Sequence, residues 1–302
     1  MSQCKQILIT GASGFLGRHL SKSIEALGWN ISISNTKIAN LMDDKNLHIY
    51  NDIKFDYIFH LAAHTKAGDY CLYHKGEQFE INQRINSNIL KYWNDHQSQA
   101  KMVAMGTSCS YSPELPMTED NYLKGEPDEG LYTYAMTKRM LLVGLKSYAE
   151  QYGLKWLYFV PSTLYGSDFE EWDNHFIFDF IKNCYQAKHH DKKFVIWGDG
   201  TARRELVYVD DACKLILQML NRENEVVNLG GGEDHEINEF AKYVSEALDY
   251  NSELIERDLT KYVGVKSKLL DVTKISNISQ LTPLKEGLQK TIAWYIKNHN
   301  EK

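Results

Sequence analysis

Tyr134 and Lys138 stand four residues apart in a stretch with helical apolar spacing, so a helix puts both side chains on one face. There an ammonium can lower the pKa of a phenol while also holding a ribose, and the pair becomes a proton donor. Upstream, residues 101–105 read as a strand that runs into Gly106-Thr107-Ser108-Cys109. A hydroxyl at that place, from Thr107 or from its neighbour Ser108, can hydrogen-bond an oxygen that gains charge during reaction. Near the N-terminus, Gly11, Gly14 and Gly17 follow a short apolar run. Glycines there permit a tight turn and a close approach to a pyrophosphate, whose charge then lies against free N–H groups at a helix N-terminus. A pyrophosphate cradle, a proton donor and a polarising hydroxyl together describe hydride transfer between a dinucleotide and a carbonyl or alcohol.

The elements that position these groups alternate between two periods. Residues 5–10 form an apolar run; from 15 to 27 apolar residues recur at Leu16, Leu20, Ile24 and Leu27, and Gly28 supplies a stop. Further strands are expected over 29–34, 57–63, 101–105, 156–160 and 226–229, with helices over 79–96 and 134–152. Strands alternating with helices predict an α/β chain, a Rossmann-like doubly wound parallel sheet covered on both faces. Beyond Pro161 the order becomes irregular, with an acid- and aromatic-rich loop over 168–174, a helix over 176–187 and more helices after it. The expected division is a dinucleotide-binding domain over 1–160 that also receives about 206–230. A smaller α+β substrate lid is expected from 161–205 and 231–302. An acid at the tip of the second strand would bond a ribose 2′-hydroxyl and repel a 2′-phosphate. The tip reads Ser34-Asn35-Thr36-Lys37, without an acid, and Lys37 and Arg18 are cations placed to face a phosphate, so NADP(H) is favoured over NAD(H).

Composition excludes several classes. With 302 residues, 43% hydrophobic and 25% charged, the chain can bury a large core. A net charge of −6, with no block of basic residues, argues against nucleic acid as a partner. Cys4, Cys71, Cys109, Cys184 and Cys213 are odd in number and lack paired spacing, so neither a zinc site nor a disulfide framework is expected. No stretch approaches the ~18 apolar residues of a membrane span, and nothing like a leader precedes the first strand. A soluble cytoplasmic protein is the expectation.

The Gly-x-x-Gly-x-x-Gly spacing and the Tyr134/Lys138 pair resemble the extended short-chain dehydrogenases acting on nucleotide sugars, and within them the GDP-L-fucose synthase group. The resemblance runs nearly end to end. Its carriers are residues 10–17, His60-Leu61-Ala62-Ala63, 106–111, 134–138, 161–166, Asn174-His175, 197–201, 204–210 and 268–273. Ser108-Cys109, Asn174-His175 and the Lys-Leu-Leu-Asp-Val-Thr run at 268–273 are the narrower matches. The resemblance implies a two-stage reaction on a nucleoside-diphosphate 4-keto sugar. Cys109 and His175 match the acid/base pair that inverts C3 and C5, and thiol and imidazole both exchange protons near neutral pH. Reduction at C4 follows, with Tyr134 as proton donor, Thr107 polarising the oxygen and Lys138 holding Tyr134 and the ribose. Ser13, Phe15, Leu16, Asn35, Leu61, Ala62, Ala63, Pro161, Leu164 and His175 are implied to join the glycines, Arg18 and Lys37 around the dinucleotide. Ser108, Asn174, Lys182, Trp197 and Arg204 are implied to bind a GDP-sugar, Arg204 at the diphosphate and Trp197 as an apolar wall unless it is core packing. A homodimer built on helices including 134–152 is implied as well.

Departures from that group concern the substrate. The glycine turn is Gly-Ala-Ser-Gly where the group has Gly-His-x-Gly, Thr163 replaces an asparagine, Asn183 stands at an arginine position beside Lys182, and Val263 replaces an acid. The acidic loop 168–173 is also unlike the group's. The alternatives to a reductase are an NAD-retaining C4 dehydrogenase, 4-epimerase or 4,6-dehydratase, and a non-catalytic dinucleotide-binding scaffold.

Overall fold

A computed structural model describes residues 4–299 except 66–68, 174, 191 and 279. In chain order the first half comprises β1 (Gln6–Thr10), α1 (Phe15–Ala26), β2 (Asn30–Ser34), β3 (Tyr57–His60), α2 (Asp69–Tyr73), α3 (Lys75–His96) and β4 (Lys101–Met105). Then come α4 (Tyr132–Tyr152), β5 (Trp156–Pro161), β6 (Thr163–Tyr165), α5 (Phe176–His189), β7 (Val195–Trp197), β8 (Arg203–Arg204) and β9 (Leu206–Tyr208). The last are α6 (Val209–Gln218), β10 (Glu225–Leu229), β11 (His235–Glu236), α7 (Ile237–Ala247), β12 (Glu256–Asp258) and α8 (Leu284–His299).

Six strands form one parallel sheet in the order β10-β5-β4-β3-β1-β2. The chain winds outward from β1 to β2, then crosses back to β3 and runs the other way. The reversal between β1 and β3 leaves a crevice at their carboxyl ends, where this class of sheet takes its ligands. Side chains alternate between the two faces. Leu8, Ile58, Met102, Ala104 and Tyr158 pack with Ile89, Trp93, Leu141 and Leu145 of α3 and α4. Ile7, Ile9, Phe59, Val103 and Phe159 pack with Leu20 and Ile24 of α1 and with Val209, Cys213 and Ile216 of α6. Burial on both faces explains why these strands read as unbroken apolar runs.

A third core lies outside the sheet, where Phe178, Ile181, Phe194, Phe240, Val244, Leu288 and Ile292 join α5, α7 and α8. Three small pairs accompany it: β6 with β9 and β7 with β12 in parallel, β8 with β11 antiparallel. Among the described residues no helix is long and apolar enough to cross a membrane. The first helix ends at Ala26 and Gly28 turns at φ +71°, as its glycine stop predicts. Where an expected element is present, the differences are at its ends. β3 stops at His60 rather than at 63, because Leu61–Ala63 must turn past Gly11; α3 starts four residues earlier than its first apolar signal, and α4 two earlier.

Candidate active site

The glycine turn has no room for side chains at two of its three positions. A Cβ on Gly11, which sits at φ +72°, would meet the backbone nitrogen of Ala62 at 2.6 Å, and one on Gly17 would meet the Gly11 carbonyl at 2.3 Å. Gly14 caps α1 with no side-chain bond to the helix, and the first turn carries no acid. The free N–H groups at this helix end therefore face the crevice with their positive dipole uncompensated, which fits a dinucleotide pyrophosphate. Ser13 is exposed beside them. Phe15 and Leu16 pack on Leu164, so these three act first as a floor beneath the turn. At the tip of β2, the Asn35 side chain accepts from the N–H groups of Lys37 and Ile38 at 2.8 and 2.9 Å, and Lys37 stays exposed. Arg18 does not join it. Its guanidinium donates to the Ser13 carbonyl at 2.8 Å, to the Asp168 carbonyl at 2.7 Å and to the Asp173 carboxylate at 2.8 Å, which ties it to the acidic loop.

Two strand ends away, β4 delivers Thr107 and Cys109. Gly106 lies flat against Tyr122 and Tyr158, where a Cβ would come within 2.6 Å of the Tyr122 hydroxyl and of the Tyr158 ring. The Thr107 N–H donates to the Tyr122 hydroxyl at 3.3 Å, Tyr122 and Tyr158 share a bond at 3.1 Å, and the Tyr158 hydroxyl donates to the Lys138 carbonyl at 2.7 Å. This buried chain locks the strand end to α4. Arg139 completes the lock by donating to the Ser110 carbonyl at 2.9 and 2.6 Å and to Gly125 at 2.7 Å.

Lys138 is buried and its ammonium donates to the Met105 carbonyl at 2.9 Å; burial lowers its pKa to about 8. Burial also pushes the Tyr134 phenol up, reinforced by Cys109, Tyr122 and Cys71. The phenol lowered by Lys138 that the spacing predicts is therefore not what the fold produces. Desolvation outweighs an ammonium already engaged by a carbonyl, and Tyr134 remains a protonated donor.

Cys109 is the most elaborated group. Its N–H donates to the Thr107 hydroxyl at 3.3 Å, and its sulfur accepts from the Lys268 ammonium at 3.3 Å. Burial raises the thiol, but Lys268, Thr107 and Arg204 together bring it below its ordinary value. Arg204 is fixed by donating to the carbonyls of Val265 at 2.9 Å and Val263 at 2.5 Å. Val263 thus contributes its carbonyl where the resemblance expects an acid. Tyr262 bonds Asp128 on the same rim. Trp197 is 45% exposed with the Lys261 ammonium 5.3 Å from its ring, which removes the core-packing reading. Lys182 is committed to Asp179 at 3.2 Å and to the Glu171 carbonyl at 3.4 Å. His175 keeps an exposed edge at the N-terminus of α5, while the atoms packed around the rest of the ring lower its pKa by desolvation, opposed by Asp173 and Asp179. Asn174 lies outside the described residues.

Lys268, Tyr122 and Tyr158 were not among the expected site residues. Lys268 opens the 268–273 run that carried part of the resemblance, and that run was its only signal; nothing in spacing marks the two tyrosines.

The model of the NAD dependent epimerase/dehydratase family matches residues 7–230. The chain belongs to that family. Among this family member's relatives, GDP-L-colitose synthase of Yersinia pseudotuberculosis is 29% identical over 98% of the chain and 99% of its own length. GDP-L-fucose synthase of Escherichia coli is 26% identical, with 98% of each covered. The structure of a GDP-6-OMe-4-keto-L-xylo-heptose reductase from C. jejuni superposes with a TM-score of 0.90 at 20% identity, covering 99% of each chain. The fold of this epimerase/dehydratase family member is therefore shared across the whole chain.

Proposed function

We propose that the protein reduces the C4 ketone of a GDP-linked 4-keto sugar with NADPH, after inverting C3 or C5. The observation that carries the reading is the Cys109 thiol held between Thr107 and Lys268, within the electrostatic reach of Tyr134 and Arg204. Relatives named GDP-L-colitose synthase and GDP-L-fucose synthase, matched along nearly their full length, support the substrate class.

A ketone acidifies the hydrogens on its neighbouring carbons. Cys109, as thiolate, removes such a proton, and His175 returns one to the opposite face; each group is reset by solvent. When bound, the cofactor supplies hydride to C4. Tyr134 donates its proton to the oxygen that hydride addition leaves charged, and Thr107 hydrogen-bonds that oxygen. Lys138 would hold the ribose of the bound cofactor, and Arg204 and Trp197 would receive the diphosphate and base of the substrate. The N-terminus of α1 holds the pyrophosphate, and Lys37 with an acid-free β2 tip favours a 2′-phosphate. A dinucleotide domain over 1–160 with 206–230, a lid from the remainder, a cytoplasmic location and a homodimer belong to the same proposal.

Incubation with GDP-, dTDP-, UDP- and CDP-4-keto sugars, each with NADH and NADPH, tests it. NADPH oxidation fastest with a GDP-keto sugar is expected. Tightly bound NAD(H), turnover of an unoxidised sugar and no net NADPH consumption would overturn it in favour of an NAD-retaining epimerase.

A further inference from the structure

Arg18 is the residue directly after the glycine turn, yet it reaches 155 positions along the chain to Asp173. The pair is largely enclosed, with side-chain exposures of 20% and 11%, and Arg18 also holds the Ser13 and Asp168 carbonyls. Two neighbours on α1 grip the same loop. His19 bonds the Ser167 carbonyl at 2.9 Å through one ring nitrogen and Asp210 at 2.9 Å through the other, and Lys22 pairs with Asp168. Asp168 takes a left-handed backbone at φ +59°, which turns the loop toward α1. The Asp173 carboxylate accepts from the Glu170 N–H at 2.8 Å, closing the loop on itself. Two residues later the chain reaches His175.

The carboxylates that act on His175 are Asp173 and Asp179, and each has its own cation: Arg18 on α1 for the first, Lys182 on α5 for the second. Phe178 packs its ring against the imidazole from α5. Glu171, on the same loop, faces away to His299. We infer that Arg18 is a positioning residue for His175, tying the dinucleotide turn to the loop that carries the acid and setting how much of the Asp173 charge the imidazole feels. The inference rests on the reading of His175 as the proton donor in epimerisation. A cofactor that settles on the Ser13 carbonyl's turn would thereby also settle the loop on the substrate side, through one guanidinium.

Charge gives the inference a sign. Removing Arg18 leaves Asp173 uncompensated and raises the pKa of His175, whereas removing the Asp173 charge lowers it. His175 donates in its protonated form, so the alkaline limb of its step follows its pKa. The experiment is exchange with inversion at C3 and C5 of GDP-4-keto-6-deoxymannose in D2O, scored as the deuterated inverted sugar, with NADP+ present, across a pH series. Arg18→Gln should move the alkaline limb up and Asp173→Asn should move it down, each by about half a pH unit, small because His175 is exposed. The double variant should return close to wild type. Arg18→Lys, which keeps the charge but loses the three-way grip, should leave the limb in place and lower the maximal exchange rate several-fold. A structural defect alone would not move the limb in opposite directions. If His175→Asn exchanges like wild type, the donor reading fails and takes the inference with it. If His175→Asn is inactive but the Arg18 and Asp173 variants share the wild-type limb, or move it the same way, the inference alone is overturned.

Discussion

Cys109 and Tyr134 illustrate how one pocket drives two acids in opposite directions. Both are enclosed, and enclosure raises both; only Cys109 has a cation on its reacting atom, and only Cys109 is lowered. Lys268→Met should therefore raise the thiol's pKa, with about a tenfold loss of thiolate at neutral pH for each pH unit of rise. Iodoacetamide alkylation in a Cys4→Ser background measures this, since Cys4 is the exposed competitor and Cys184 and Cys213 are buried and pushed up to about 12. The two stages of the proposed reaction separate at the same scale. Tyr134→Phe should cut NADPH oxidation by ~10²–10⁴-fold, the usual worth of a general acid, while deuterium exchange at C3 and C5 persists. Loss of both together would mean that Tyr134 serves the epimerisation too. Tyr134 and Thr107 are legible in the sequence because a helix spacing and a strand end place them, whereas the direction in which the phenol's acidity moves is not. Four-residue spacing says that two side chains share a face; it says nothing of the Met105 carbonyl that takes the Lys138 ammonium.

At the scale of elements, the turn between β1 and α1 is a packing constraint before it is a binding site. Gly17→Ala would press a methyl group against the Gly11 carbonyl, and backbone cannot swing aside as a side chain can. Overpacking of this kind costs about 1–3 kcal/mol. The expected outcome is a lower urea midpoint together with weaker NADPH binding by titration calorimetry. Unchanged stability with lost binding would mean that the turn relaxes, and that Gly17 matters for the ligand alone. Strands β1, β4 and β5 were legible because both of their faces are buried, which leaves unbroken apolar runs. The starts of α3 and α4 were less so, since Lys75–Gln78 and Tyr132–Thr133 precede the apolar stripe. The small pairs β6–β9, β7–β12 and β8–β11 are two or three residues long and carry no period at all.

The whole molecule depends on a return crossing that no local signal announces. After the lobe's β12 the chain comes back over the sheet: Leu270 bridges to Met117, and Asn228 on β10 donates to the carbonyls of Met117 at 2.8 Å and Asp271 at 3.0 Å. That crossing is what carries Lys268 to Cys109. Glu205, only 2% exposed, pins it, one carboxylate oxygen accepting from the Leu270 N–H at 3.1 Å and the other from Gly232 at 2.8 Å. Those donors favour the ionised form, but burial outweighs them and raises Glu205 to about 7. A carboxyl raised on folding binds its proton more tightly in the native state than in the unfolded chain. Its contribution is therefore fully present below the unfolded value of 4.5 and is lost as pH rises through about 7. The shift spans roughly two to three pH units, on the order of 3 kcal/mol at 1.36 kcal/mol per unit. Urea unfolding midpoints should accordingly fall between mildly acidic and mildly alkaline buffer. Glu205→Gln, which cannot ionise, should flatten that slope while lowering stability in acid, because an amide NH2 must then face one of the two backbone donors. A slope as steep in Glu205→Gln as in wild type would place the titrating group elsewhere and leave Glu205 with only its hydrogen bonds to hold the crossing.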